Sequence, residues 1–230
     1  MASGGLISSG VLGPDAGQRA FAPAHFAYDD HASIRKLIAD YPLAQICTAR
    51  DGELRATAAP LFHRPDADGG GLEFFGHIAR RNPHVAAIEA GAEALCLFTG
   101  PDAYISPHWF EVSRSVSTWS YVAAQLRGRF EPVTDRADTL AILRQSIDRM
   151  EAHVHPEGEG RWSLDDADPD RVDYLLEGVM AFRFRGESLE GVTRLNQDKK
   201  PQDRESIARG LDRSLQAGAR GVARLMGIDT

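Results

Sequence analysis

Few of the features that most quickly betray a function occur in this sequence. Its 230 residues hold only two cysteines, Cys47 and Cys96, each inside an apolar run, so there is no disulfide framework and no paired CxxC. HExxH, GxSxG, GxxxxGK(S/T) and a GxGxxG following a strand are all missing, which removes zincin, nucleophile-elbow and Gly-rich phosphate-loop chemistry. No apolar stretch approaches the roughly 18 residues of a membrane helix. Met1 to Ala20 lacks a basic segment ahead of an apolar block, so it does not read as a signal peptide, and a cytoplasmic location is expected. Charge of one sign is not dominant either. The 33 acidic and 26 basic side chains leave a net −7, which argues against a surface built mainly for nucleic acid but leaves room for a local basic patch.

What is present is an ordinary globular balance, 43% hydrophobic and 26% charged, at a length that buries a large core without staples. Residues 1–20 are small and Gly-rich and read as an N-terminal arm; residues 21–230 read as a single domain. A helix with Ile34, Leu37 and Ile38 on one face, capped by Asp29 or Asp30, ends at Tyr41-Pro42. The period then changes to two. Strands are predicted over 44–50, 53–63, 72–78, 93–99, 118–133 and 179–184, the first two joined by an Asp51-Gly52 hairpin turn. Asn82-Pro83 opens a short helix that ends at Gly91. The clearest helix covers 135–154 with Leu140, Leu143, Ile147 and Met150 in phase. A short helix spans 172–176, and a last amphipathic helix runs from about Gln202 with Ile207, Leu211, Leu215, Val222 and Leu225 inward. Residues 100–117 and 155–170 read as irregular. About six mostly antiparallel strands with helices inserted between them predict an α+β fold built on a small closed or partly closed β-barrel.

Three constellations carry possible chemistry. Arg55 and Thr57 alternate along the second strand and share a face. The third strand runs into Gly76-His77-Ile78-Ala79-Arg80-Arg81-Asn82-Pro83-His84, which places His77, two forked guanidinium donors and a helix start within one turn of chain. That combination suits phosphate oxygens, and equally a solvated strand-to-helix corner. Tyr104, Trp109, Phe110, Trp119 and Tyr121, with Ser117, Thr118 and Ser120, could wall a flat heteroaromatic ring or simply close a barrel end. Arg194-Leu195-Asn196-Gln197-Asp198-Lys199-Lys200 is a basic, amide-bearing turn that alone reads as a charged loop. His153 and His155 with Glu157 and Glu159 offer metal-ligand atoms, but in a Gly/Pro loop without metal-site spacing, and no metal site is expected.

Taken together, these segments resemble the PaiB-type FMN-binding negative transcriptional regulators, a branch of the FMN-binding, pyridoxamine-phosphate-oxidase-like split barrels. The likeness covers Phe21 to about Leu211. It is carried by Phe21-Ala-Pro-Ala-His-Phe26, by Gly76 to Pro83, by Gly100-Pro-x-x-Tyr-Ile-Ser-Pro-x-Trp109, by Thr118-Trp-Ser-Tyr121 and by Arg194 to Lys199. Ser120 stands where that pattern has Asn, and Asn196 and Asp198 stand where it has Ser and Asn.

The resemblance implies a split barrel with FMN in a groove at the interface of a homodimer. Arg55, Thr57, Ala58, Ala59 and Pro60 would line the phosphate and flavin edge. His77, Arg80, Arg81, Asn82 and His84 would complete the phosphate site. Two alignments of that corner are open, one favouring Arg80 and Arg81, the other Asn82 and His84. Thr118, Trp119, Tyr121, Arg194, Gln197 and Lys199 would close over the ring, one of these segments from the other subunit. The role implied is negative regulation of transcription, although no helix-turn-helix is visible and the arginines of the last helix alternate with acids. The alternative is a flavin-dependent oxidoreductase acting on a small molecule, in which Arg194 or Lys199 stabilises the reduced flavin anion; a flavin or haem carrier without turnover is a third.

Overall fold

The computed structural model describes residues 24–27, 31–64 and 71–228. The arm over residues 1–20, the capping aspartates Asp29 and Asp30, and most of the loop after the second strand lie outside them.

Six alternating segments become six strands: β1 (Leu43–Arg50), β2 (Glu53–Arg64), β3 (Glu73–Ala79), β4 (Glu93–Ile105), β5 (Thr118–Val133) and β6 (Val179–Arg194). They close in the order β1-β2-β3-β6-β5-β4, every pair antiparallel. Asp51 and Gly52 both take positive φ, 51° and 79°, the conformation a two-residue hairpin turn needs. Side chains of one parity fill the barrel: Ala44 and Ile46 of β1, Ala59 and Leu61 of β2, Phe74 and Ile78 of β3, Phe182 and Phe184 of β6. Each large side chain buried there contributes about 1.5–3 kcal/mol.

Helices stopper the barrel and clothe part of its outside. Ile34, Leu37 and Ile38 of α1 (His31–Asp40) enter the core at one mouth, and Ile88 of α2 (Val85–Glu89) enters at the other. The helix α3 (Arg136–Val154), capped by Asp135, covers Phe62 and Phe75 on the outer face of β2 and β3. Its buried positions are Thr139, Ile142, Leu143 and Ser146; Leu140 and Ile147 turn towards α4 (Pro169–Gly178), and Met150 is 36% exposed. The apolar stripe therefore lies about one residue round the helix from the expected one, because α3 has two neighbours to pack against.

Three other expectations are corrected. β4 does not stop at Thr99; it bulges between Thr99 and Asp102 and continues to Ile105, so a third of the expected irregular stretch is strand. β6 continues ten residues past Phe184, its glycines hiding the alternation from the sequence. The last helix is two, α5 (Pro201–Asp212) and α6 (Ala219–Leu225), with Leu215 fully exposed in the turn between them. Both dock on the extension of β4 through Ala103 and Ile105. The docking is close: a Cβ on Gly210 would stand 2.4 Å from the Trp109 ring, and one on Gly218 would stand 2.1 Å from the Asp102 carbonyl oxygen.

Candidate functional site

On β2, residues of odd number point into the barrel and those of even number point out. Arg55 and Thr57 share the inward face at the mouth that α2 closes, as their spacing requires. Opposite Arg55 on β1 stands Thr48, also inward and buried. Between the two threonines sits His84, 2% exposed, with Nδ1 at 3.0 Å from the Thr57 hydroxyl and Nε2 at 3.1 Å from the Thr48 hydroxyl. The Asn82 side-chain oxygen accepts from the His84 backbone N–H at 2.9 Å and from the Thr57 hydroxyl at 3.4 Å. Arg55 pairs with Glu53 and donates to the Pro83 carbonyl at 3.4 Å. Burial, reinforced by the Arg55 charge, holds the His84 ring below its ordinary pKa. Sequence reading missed Thr48; it shares the parity of Ile46 on β1 and faces Arg55 across the hairpin, and that was the available signal.

The outward residues differ in kind. Leu54, Ala56 and Ala58 are exposed and Pro60 half-buried, so between Leu54 and Phe62 this face bears no side chain larger than a proline ring. Beside it on β3 lies His77, also outward; burial lowers its pKa. Arg80 and Arg81 follow at the strand end, both exposed. Arg80 donates to the Glu177 carbonyl at 3.2 Å, while Arg81 has no hydrogen bond or ion pair among the described residues. Ala59, by contrast, faces the core and offers a flavin only its backbone. The corner thus joins guanidinium, imidazole, amide and hydroxyl groups to a flat strip of small residues, a donor set that suits a phosphate monoester with a planar ring beside it.

The aromatic and tail segments come together at the far end of β5 and β6. Trp119 is 48% exposed, donates through Nε1 to Asp102 at 3.1 Å and meets Tyr104 edge-on. Tyr121 pairs with Arg194 across the ladder, and Arg194 lies over the Phe26 ring at 5.2 Å. Thr118, half-buried, opens the strand. Gln197 fastens the turn by donating to the Thr193 and His25 carbonyls, and Lys199 pairs with Asp198. Trp109 and Phe110 instead pack beneath α5 and α6. Ser120 and Asn196 are no ring contacts either. Both are buried, and the Asn196 amide donates to the Ser120 hydroxyl at 2.9 Å.

In a closed barrel of six strands β2 and β5 are three places apart by either route, so their outer faces look in opposite directions. The donor corner and the Trp119–Tyr121 box of one chain therefore cannot enclose the same ligand.

Comparison with known proteins places this geometry. The family described as "Putative FMN-binding domain" matches residues 20–188. Protease synthase and sporulation protein PAI 2 of Bacillus subtilis is 25% identical over 209 residues, 90% of this chain and 96% of that protein. Among solved structures, the flavocytochrome Anf3 of Azotobacter vinelandii superposes with a TM-score of 0.56 at 16% identity, covering 74% of this chain and 70% of that one. The FAD and heme binding protein of Mycobacterium smegmatis does so with a TM-score of 0.53 at 21% identity, covering 80% of each chain. These structures share the split-barrel fold.

Proposed function

We infer that this chain, which belongs to the FMN-binding domain family matched at residues 20–188, works as a flavin-carrying homodimer that represses transcription. FMN is the cofactor of that family. The observation that carries the dimer is the opposed placement of the two halves of the site on β2 and β5. A second copy laid against the outer face of β1 and β2, where Leu43, Leu54, Ala56 and Ala58 are exposed, brings the partner's box over the first chain's donors.

In this arrangement Arg81, the one guanidinium of the corner without a partner among the described residues, holds the FMN phosphate with Asn82 and Arg80. Ala58, Pro60 and His77 lie along the ribityl chain and ring edge. His84, Thr57 and Thr48 act beneath them by fixing the turn that presents Asn82. Trp119, Tyr121 and Arg194 of the partner exclude water from the ring, with Gln197 and Lys199 shaping the turn that carries them. Bound FMN supplies one- and two-electron redox chemistry; the side chains supply position and charge.

The regulatory part rests on the PaiB-type resemblance. It acts through a partner or a metabolite rather than a dedicated reading helix: of the five arginines in and between α5 and α6, Arg209 pairs with Glu111 and Arg204 donates to the Met226 carbonyl.

The test is the visible absorption spectrum before and after adding FMN, with the size of the protein in solution. Flavin bands on a dimer are expected, and Arg81→Ala should weaken FMN binding by roughly 1–3 kcal/mol, the scale of a lost charge-assisted hydrogen bond. A colourless monomer that ignores FMN overturns the assembly. Loss of the coding sequence should raise a defined set of transcripts in the host. Unchanged transcripts, with flavin bleached by NADH or NADPH, would replace repression by an oxidoreductase activity.

A further inference from the structure

At the end of the barrel that α1 closes, α3 carries an arginine that the flavin site does not use. Arg149 lies over the Phe75 ring, with Cζ 5.1 Å from its centroid, and donates through Nη1 to the His63 carbonyl. It makes no ion pair and no other hydrogen bond among the described residues. Burial lowers its pKa, so the charge is partly withdrawn from water with no carboxylate to compensate it. Ring and carbonyl fix the guanidinium while leaving the edge formed by Nε and Nη2 without a partner.

The surroundings say what would fill that edge. Arg149 lines a cavity of about 340 Å³ with Ile38 and Ala39 of α1, Leu61 and Phe62 of β2, and Met150 of α3. That volume lies towards the lower end of the range, from about 300 Å³ upwards, in which small molecules are held. The other polar groups on its walls are engaged or exposed. Asp40 pairs with Lys36 at 2.9 Å, His63 Nε2 stands 2.9 Å from the Gly71 carbonyl, and His153 is exposed. The Asp40 carboxylate disfavours a dianion such as phosphate close by. A guanidinium edge matches a carboxylate through two parallel N–H···O bonds, and the aliphatic walls take an uncharged body.

The cavity stands apart from the flavin corner and from the strip offered to a second copy. Thr57 and His63 are separated by six residues of β2, about 20 Å of strand, and the flavin donors gather at the Thr57 end. At Phe62 α3 already lies across the outer face of β2, so the exposed strip from Leu54 to Ala58 stops short of the cavity. We propose that the pocket between α1, α3 and the end of β2 binds a small organic monoanion, an alkyl or aryl carboxylate, with the carboxylate on Arg149 and the body against Ile38, Leu61 and Met150.

Ligand-observed NMR titration of the full chain with sodium benzoate, at constant ionic strength and with and without saturating FMN, tests this. Saturable binding is expected, with the same affinity whether or not FMN is present. It should weaken at least about tenfold in Arg149→Met, and equally when uncharged benzamide replaces benzoate. Ala39→Phe keeps the arginine but fills the cavity from an exposed position of α1, and should also weaken binding at least about tenfold. Arg144→Gln, which removes an exposed guanidinium of α3 paired with Asp165, should stay within about threefold of the wild type. A thermal melt of each variant shows that it is folded. No saturable binding up to about 10 mM benzoate, or equal affinity in wild type, Arg149→Met and Ala39→Phe, overturns the proposal. Displacement of benzoate by FMN overturns it too, because the anion would then sit in the flavin corner.

Discussion

At the scale of single residues, His84 shows how an apparent ligand becomes a structural part. Its ring fills the barrel mouth between Thr48 and Thr57, and its edge meets the Phe130 ring at 6.2 Å between centroids. One ring nitrogen donates and the other accepts, so the neutral ring satisfies both hydroxyls. Burial and Arg55 place its folded pKa below the ordinary 6.5. Below pH 6.5 the unfolded chain therefore binds a proton that the folded chain resists, and the stability present above that pH is lost as the pH falls through it. His77 acts in the same direction. Melting temperature should fall between about pH 7.5 and 5.5, and it should fall less in His84→Gln than in the wild type; equal slopes would show that His84 does not carry the effect. Ser120 and Asn196 teach the same lesson. Both depart from the PaiB-type pattern, and the structure makes them each other's buried partner, with Asn196 at a φ of 58° that favours glycine or asparagine.

Among the elements, the pair α5 and α6 is where sequence periodicity misled most. Ile207, Leu211 and Val222 are buried as expected, but the stretch from Ser214 to Gly218 turns the chain so that Gly218 and Gly221 come against β4 while Leu215 is left in solvent. Asp203 adds a second attachment. It is buried at the base of α5 and accepts from the backbone N–H groups of Glu111, Val112 and Ser113. The Ser113 hydroxyl and these three N–H groups hold its carboxyl below the usual range, against burial, which pushes it up. The segment between Trp109 and β5 is thus tied to α5 at its root, and with it the approach to Trp119. Gly210→Ala would press a methyl group into the Trp109 ring, an overpacking that costs about 1–3 kcal/mol. A melting temperature lower by about 2–10 °C is expected, with weaker FMN binding following from the displaced Trp109–Trp119 segment. A variant as stable as the wild type would mean that the helix pair shifts freely on β4.

For the whole molecule the decisive observation is that β2 and β5 lie on opposite sides of the barrel, and the proposed dimer rests on it. Ala58 lies exposed on the outer face of β2, so Ala58→Glu leaves the folded chain unharmed while placing a charge in the proposed dimer interface. Monomers on gel filtration and at least about tenfold weaker FMN binding are expected together; a dimeric variant with unchanged affinity would move the interface elsewhere. Among the described residues, no helix is long and apolar enough to cross a membrane. Alternation of period two and the Asp51-Gly52 turn were enough, in the sequence alone, to specify six antiparallel strands and their hairpins, since side-chain parity and turn conformation are local properties. The ordered motifs pointed to the family for the same reason: short segments keep their chemistry wherever the fold carries them. Only the tertiary structure decided which of those residues face solvent. Closure of the barrel turned Ala59, Ser120 and His84 inward and left Arg81 and Trp119 outward, because burial depends on which strands and helices come to lie across each face, and that is set by contacts distant in sequence.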